Sequence, residues 1–231
     1  MSEIIEEPKA RTGDGKIVHP GSTVFPILKE IEKKKLSVIG TGFFIARYGL
    51  FATAAHVVQD LVKENELGIS YVLQVTEPFD GRLYLRKIKR ITFFNELDLA
   101  VGQADNYVEK FPNDPLTNLR CILSDYIPLR GERVFTYAYP ENEIMDFTTD
   151  APPRVVGNRF EGEFLAVEAA DRNPFIPYDH FSTSIRVRSG ASGGPVFTEA
   201  GRVIGVNCRG WDFDGGEHEG DELSSIVPVN I

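Results

Sequence analysis

The apolar stretches of this 231-residue chain are short and β-type, and almost none has a helical period. The runs 22–28, 36–46, 50–54, 71–76, 83–94 and 99–104 are punctuated by Gly, Pro, Asn and Asp. Residues 106–118, with Pro112 and Pro115, read as a crossover linker. A second set of runs follows at 120–123, 133–139, 154–158, 159–168, 181–187, 196–198, 202–207 and 226–229. Only residues 56–66 space their apolar positions (Val57, Val58, Leu61, Val62) as a helix does. Many short strands bury their apolar faces by closing into barrels or sandwiches, so the expected fold class is all-β. The two strand sets divide the chain into a first unit over 15–119 and a second over 120–231. The polar residues 1–14 read as a mobile arm.

Charge excludes one broad class of partner. The formal net charge is −9, whereas nucleic-acid binding needs clustered Lys and Arg to neutralise phosphates. The stretches Lys33-Lys34-Lys35 and Arg86-Lys87-Ile88-Lys89-Arg90 are short. The second alternates with Leu85, Ile88 and Ile91 and reads as one wet strand face. No apolar run approaches the roughly 20 residues of a membrane helix, so no membrane partner is expected. The opening Met1-Ser2-Glu3-Ile4-Ile5-Glu6-Glu7-Pro8 is acidic and lacks the apolar core of a secretory signal, which favours a cytoplasmic setting. Cys121 and Cys208 have neither metal-site nor CxxC spacing and are expected as reduced, buried thiols. The acidic run 212–222 lacks the ligand order of a calcium loop and reads as a solvated loop, so no metal is expected.

Chemistry concentrates in Gly190-Ala191-Ser192-Gly193-Gly194-Pro195 and in two upstream residues. A serine hydroxyl is a poor nucleophile at neutral pH. It needs a base within hydrogen-bond reach, and that base needs an acceptor that fixes its tautomer. His56 follows an apolar run in Thr53-Ala54-Ala55-His56-Val57-Val58 and suits the base. Asp98 lies in Glu96-Leu97-Asp98-Leu99-Ala100-Val101, where a carboxylate is costly to bury unless paired. Pairing with the His56 ring N–H would offset that cost, and a salt bridge to Arg90 is the competing arrangement. His19, His180 and His218 lack the apolar approach of His56.

These segments, together with Gly40-Thr41-Gly42-Phe43-Phe44-Ile45 and Gly201-Arg202-Val203-Ile204-Gly205-Val206, resemble the trypsin/chymotrypsin-like serine proteases. Within that family the chain is most similar to the bacterial branch that includes the HtrA-like enzymes. The resemblance implies two six-stranded β-barrels with the active site in the cleft between them. His56 and Asp98 would come from the first barrel and Ser192 from the second. It also implies an oxyanion hole built from the amides of Gly190 and Ser192, a polypeptide substrate, and no cofactor. At Ala191 the digestive-type relatives carry an aspartate that captures a newly freed N-terminal amine, so activation by such cleavage is not expected here. The family's usual C-terminal helix has no counterpart after Val229-Asn230-Ile231, which suggests a fold without it or a protease domain belonging to a larger, regulated protein.

The resemblance places the primary specificity pocket just before Ser192 and on the strand after Gly205. Its candidate lining is Arg186, Val187 and Arg188, then Asn207, Cys208, Arg209, Gly210 and Trp211. Strand alternation sets Ile185 and Val187 on one face and Arg186 and Arg188 on the other. With Val187 inward the pocket is apolar; with Arg186 inward it suits Asp or Glu. The HtrA-like pattern favours Val187. The function read from the sequence is a serine endopeptidase acting through an acyl-enzyme. The alternative is a non-catalytic, protease-like module that uses the same cleft to bind protein.

Overall fold

The computed structural model describes residues 9–75, 83–106, 117–139, 144–148, 156–170, 176–187, 190–210 and 224–229. Strands β1 (Ala10–Arg11) and β2 (Ile17–Val18) form a small antiparallel pair. Within the span read as an arm, Ala10 and Thr12 are buried. The Arg11 N–H donates to the Gly201 carbonyl at 2.7 Å, and the Arg11 carbonyl accepts from the Ile122 N–H at 3.1 Å. Residues 1–8 lie outside the described residues.

The first barrel is built from β3 (Val24–Glu32), β4 (Lys35–Phe44), β5 (Leu50–Ala54), β6 (Ser70–Val75), β7 (Leu83–Phe94) and β8 (Leu99–Ala104), with helix α1 (Ala55–Lys63) following β5. The strands run antiparallel in the order β4-β3-β6-β7-β8-β5, and β5 closes the ring by pairing back onto β4 at Phe43↔Ala52 and Phe44↔Phe51. Closure joins the first and last strands of the sheet and points alternate side chains inward. Phe25, Phe44 and Phe51 fill that interior, in ring contact through Phe25, and each such fully buried side chain contributes about 1.5–3 kcal/mol relative to exposure. Gly102, opposite Phe51, makes room for its ring: a Cβ there would lie 2.1 Å from the Phe51 Cζ.

The second barrel comprises β9 (Arg133–Ala138), β11 (Asn158–Glu168), β12 (His180–Thr183), β13 (Pro195–Thr198), β14 (Val203–Gly210) and β15 (Ser224–Pro228), closed in the order β11-β12-β15-β14-β13-β9. Its own core gathers Val134, Phe164, Phe181, Ile185, Val196, Ile204 and Ile226. Between β9 and β11 lies β10 (Ile144–Asp146), which pairs with β4 of the first barrel at Ile144↔Ser37. The second half of the chain thus adds a strand to the first barrel's sheet. Met145 of β10, Tyr137, Tyr139, Phe197 and Val206 join the first barrel's core, so one continuous apolar seam fixes the barrels against each other. No helix among the described residues is long and apolar enough to cross a membrane.

The double six-stranded architecture agrees with the all-β expectation; three local readings differ. Residues 120–123 are not a strand: Cys121 and Leu123 make only isolated bridges, to Thr12 and Val203. The run 181–187 leaves the sheet after Thr183, where the chain departs toward the Ser192 loop. Arg86 is not on a wet face. It is fully buried and shares the inward face of β7 with Ile88, while Lys87 and Lys89 are exposed. The physical reason is a set of neutral acceptors inside the barrel. Arg86 donates to the Asp105 carbonyl, Gln74 Oε1, Asn118 Oδ1 and Asn106 Oδ1 at 2.6, 2.6, 3.2 and 2.8 Å.

Candidate active site

His56 stands in the first turn of α1, a helix whose Val57, Val58 and Leu61 are buried. The residue before the helix, Ala54, has no side chain able to cap the open N–H groups. Asp98 supplies the missing acceptor from the turn that leads into β8. The β5–β8 register pairs Ala54 with Leu99, which sets Asp98 beside the start of α1. Asp98 itself adopts a left-handed conformation, φ 50°, after the short turn Asn95–Leu97. Its carbonyl accepts from the Ala55 N–H at 2.9 Å, and its Oδ1 from the His56 N–H at 3.0 Å. Its Oδ2 lies 2.8 Å from the His56 Nδ1. An ionised carboxylate only accepts, so this contact places the ring proton on Nδ1 and leaves Nε2 as the basic nitrogen. The side chains are 34% and 18% exposed, so the ring reaches the cleft while its partner sits behind it. Asp98 therefore pairs with His56 and not with Arg90.

Ser192 is half-buried in a turn between Gly190 (φ 94°) and Gly193 (φ 85°). At Gly193 a Cβ would stand 2.1 Å from Thr53 Oγ1 and 2.2 Å from the Thr41 carbonyl, so only glycine fits. The turn is tied to both barrels. The Thr41 N–H donates to the Ser192 carbonyl at 3.0 Å, the Gly193 N–H to the Asn207 carbonyl at 2.7 Å, and the Asn207 N–H to the Gly194 carbonyl at 2.8 Å. The Ser192 hydroxyl donates to the Cys208 carbonyl at 3.4 Å, and among the described residues it makes no hydrogen bond to His56.

The pocket candidates separate into three groups. Arg186 is exposed, whereas Val187 is half-buried and packs against the second barrel's core. Asn207 and Cys208 are each only 1% exposed and lie behind the Ser192 loop. Asn207 turns its amide to the Ala191 carbonyl, and the Cys208 thiol sits 3.6 Å from the Asp98 carbonyl, so neither side chain faces the cleft. Arg209 and Gly210 pair with Ser225 and Ser224 of β15 on one side. On the other side β13 accompanies β14 only as far as Val206, and no described strand lies beside Arg209–Gly210. Arg188 and Trp211 lie outside the described residues, as does the acidic run 212–222. Cys121 and Cys208 are both buried and unbridged. Among the described residues no cluster of His, Cys, Asp and Glu could hold a metal. The residue that sequence reading missed is Thr41. Its signal was a hydroxyl held between two glycines in the apolar second half of its strand, and it sits buried against the loop.

Two solved structures share this architecture. The crystal structure of Deg5 superposes with a TM-score of 0.60 at 19% identity, covering 90% of this chain and 84% of that one. An HtrA-type protease, an AlgW variant solved with a tripeptide, gives a TM-score of 0.57 at 19% identity, covering 90% of this chain and 57% of that one. No curated protein sequence matches the chain. The family model of the trypsin-like peptidase domain matches residues 40–206, a span that holds His56, Asp98, Ser192 and the glycine motifs at its two ends, and the chain belongs to that family.

Proposed function

We propose that the protein is a serine endopeptidase that cuts polypeptides through an acyl-enzyme, with Ser192 as nucleophile, His56 as general base and acid, and Asp98 as its orienting partner. The observation that carries this reading is the two-oxygen grip of Asp98 on His56. One oxygen holds the helix start and the other the ring, with Nδ1 at 2.8 Å. In the reaction Ser192 Oγ attacks the substrate carbonyl carbon as Nε2 takes its proton. The carbonyl π electrons move onto oxygen, where the N–H groups of Gly190 and Ser192 stabilise the oxyanion. Collapse expels the amine, which receives the proton from Nε2. Water then repeats the sequence on the ester and frees Ser192.

The backbone of Arg209–Gly210 offers an edge on which an extended substrate can add as a strand. An inward Val187 and outward Arg186 support an apolar pocket for the residue on the acyl side of the cut bond.

One observation favours a second reading, a protease-like binding module: the Ser192 hydroxyl bonds to the Cys208 carbonyl and not to His56. A fluorophosphonate probe separates the two, because only an activated serine reacts. Wild-type protein is expected to label at Ser192, and Ser192→Ala and His56→Ala to abolish labelling. Folded wild-type protein that stays unlabelled at high probe concentration would establish the binding module instead.

A further inference from the structure

Ala191 leaves open what orders the oxyanion turn, since no carboxylate stands there. Every carbonyl of the turn whose partner is described is nevertheless held. The Gly190 carbonyl accepts from the Thr41 hydroxyl at 2.7 Å. The Ala191 carbonyl accepts from the Asn207 Nδ2 at 3.2 Å and from the Gly194 N–H at 3.0 Å. The Ser192 carbonyl accepts from the Thr41 N–H at 3.0 Å.

In a trans peptide the C=O and the following N–H point in opposite directions. Drawing the Ala191 carbonyl back onto Asn207 therefore turns the Ser192 N–H forward, into the cleft. Thr41 acts one peptide earlier. Its Oγ1 accepts from the Tyr139 N–H at 3.1 Å, which commits the hydroxyl proton to the Gly190 carbonyl and holds the peptide that follows Gly190. A further bond, from the Thr53 hydroxyl to the Thr41 carbonyl at 2.7 Å, anchors the strand that supplies this hydroxyl. Both side chains are buried, Thr41 completely and Asn207 to 1% exposure, so their bonds do not compete with bulk water. One comes from the first barrel and the other from the second.

We infer that Thr41 and Asn207 are positioning residues that latch the oxyanion turn from both barrels, so that the hole stands formed without capture of a new amine terminus. The inference rests on the peptidase reading above. It predicts a specific kinetic signature. Neither side chain touches substrate, so KM and the preference at the cut site stay near wild type. The loss falls on the step in which negative charge develops, and one misaimed donor costs about 10²-fold in kcat.

The test compares Thr41→Val, Thr41→Ser and Asn207→Leu with wild type on a peptide amide substrate, and measures binding of a peptide aldehyde. The aldehyde adds to Ser192 and places an oxyanion in the hole, so its affinity reports the hole directly. Thr41→Val and Asn207→Leu are expected to lower kcat and aldehyde affinity together, by about 10²-fold, with KM changed less than about threefold. Thr41→Ser keeps the hydroxyl and is expected to remain within about threefold of wild type in kcat. Folded Thr41→Val or Asn207→Leu with wild-type kcat and aldehyde affinity would overturn the latch. So would Thr41→Ser falling as far as Thr41→Val. If Thr41→Val does not fold, Asn207→Leu and Thr41→Ser still decide. Wild-type protein that neither cleaves nor labels would refute the peptidase reading itself, a separate result from any ratio among these variants.

Discussion

Arg86→Met asks whether a buried cation earns its place in a β-barrel. Burial pushes the Arg86 guanidinium down to about 10, with the nearby Asp105 opposing that shift only in part. From the usual 12.5 this drop corresponds to a penalty of about 3 kcal/mol for holding the charge inside. Against it stand the acceptors that the guanidinium satisfies. Methionine would leave Gln74 Oε1, Asn106 Oδ1 and the Asp105 carbonyl without the bonds Arg86 now makes to them. Asn118 Oδ1 would keep the Gly49 N–H at 2.8 Å. A hydrogen bond to a charged group contributes about 1.5–3 kcal/mol; with the buried Gln74 at the upper end and the half-buried Asp105 and Asn106 at the lower, losing the three costs about 6 kcal/mol. Relief of the charge penalty leaves a net loss centred near 3 kcal/mol. For a chain of this length that is a fall in Tm of about 6–12 °C, read by thermal or urea unfolding. Arg86→Lys is expected to fall similarly, because an ammonium lacks the planar fork that reaches four separate acceptors. Lys87→Met, exposed on the other face of the same strand, is the control and is expected to change stability by less than about 0.5 kcal/mol. If Arg86→Met equalled or exceeded wild-type stability, the desolvation cost would outweigh the network and the reasoning would fail.

A peptide library is expected to show a small or medium apolar preference on the acyl side of the cut bond, shifted toward Ala and Gly by Val187→Phe and unmoved by Arg186→Ala. A preference for Asp or Glu that disappears in Arg186→Ala would reverse the pocket's register. Cys121 provides a pH test: burial pushes its thiol up to about 12 from 9.0, despite the Thr23 hydroxyl beside it. Between those values the unfolded chain loses this proton and the folded chain keeps it, so stability present below pH 9 declines as pH rises toward 12. Cys121→Ser is expected to flatten that decline, and an unchanged pH profile would reject the assignment. In unfolded protein both thiols should react with a thiol reagent without prior reduction.

What the sequence made legible was local chemistry and period. Alternating apolar runs yield barrel strands because each strand buries one face. A glycine-rich serine turn stays readable because positive φ and close packing at Gly193 admit no other residue. Asp98 could be singled out because a carboxylate within an apolar run demands a partner. Arg86 obeys the same logic, yet its partners are neutral amides and a carbonyl at positions 74, 105, 106 and 118, one in β6 and three between β8 and β9. No spacing rule collects them, so a run of basic residues alternating with Leu and Ile reads as a wet face. The strand β10 escaped for a related reason. Three residues are too few to show a period, and their pairing with Lys35–Ser37 is decided by tertiary contact.

The same distinction bears on Asn207, a candidate for the pocket lining whose side chain is buried against the Ala191 carbonyl. The family resemblance puts it among residues that border the pocket, and alternation along β14 cannot say which face meets the cleft. The deciding facts are long-range. The Asn207 backbone is gripped on both its N–H and carbonyl by Gly194 and Gly193, which fixes its side chain behind Ser192, under the Ala191 carbonyl. An amide in that position can act on the reaction only through the peptide it holds. In the proposed latch it steers a backbone donor, as Asp98 orients the His56 ring. In both cases a side chain set back from the cleft holds its partner, Asp98 beside the β5–β8 register and Asn207 through the Ala191 carbonyl, and in the proposed reaction the groups that act take their aim from atoms that never meet the substrate.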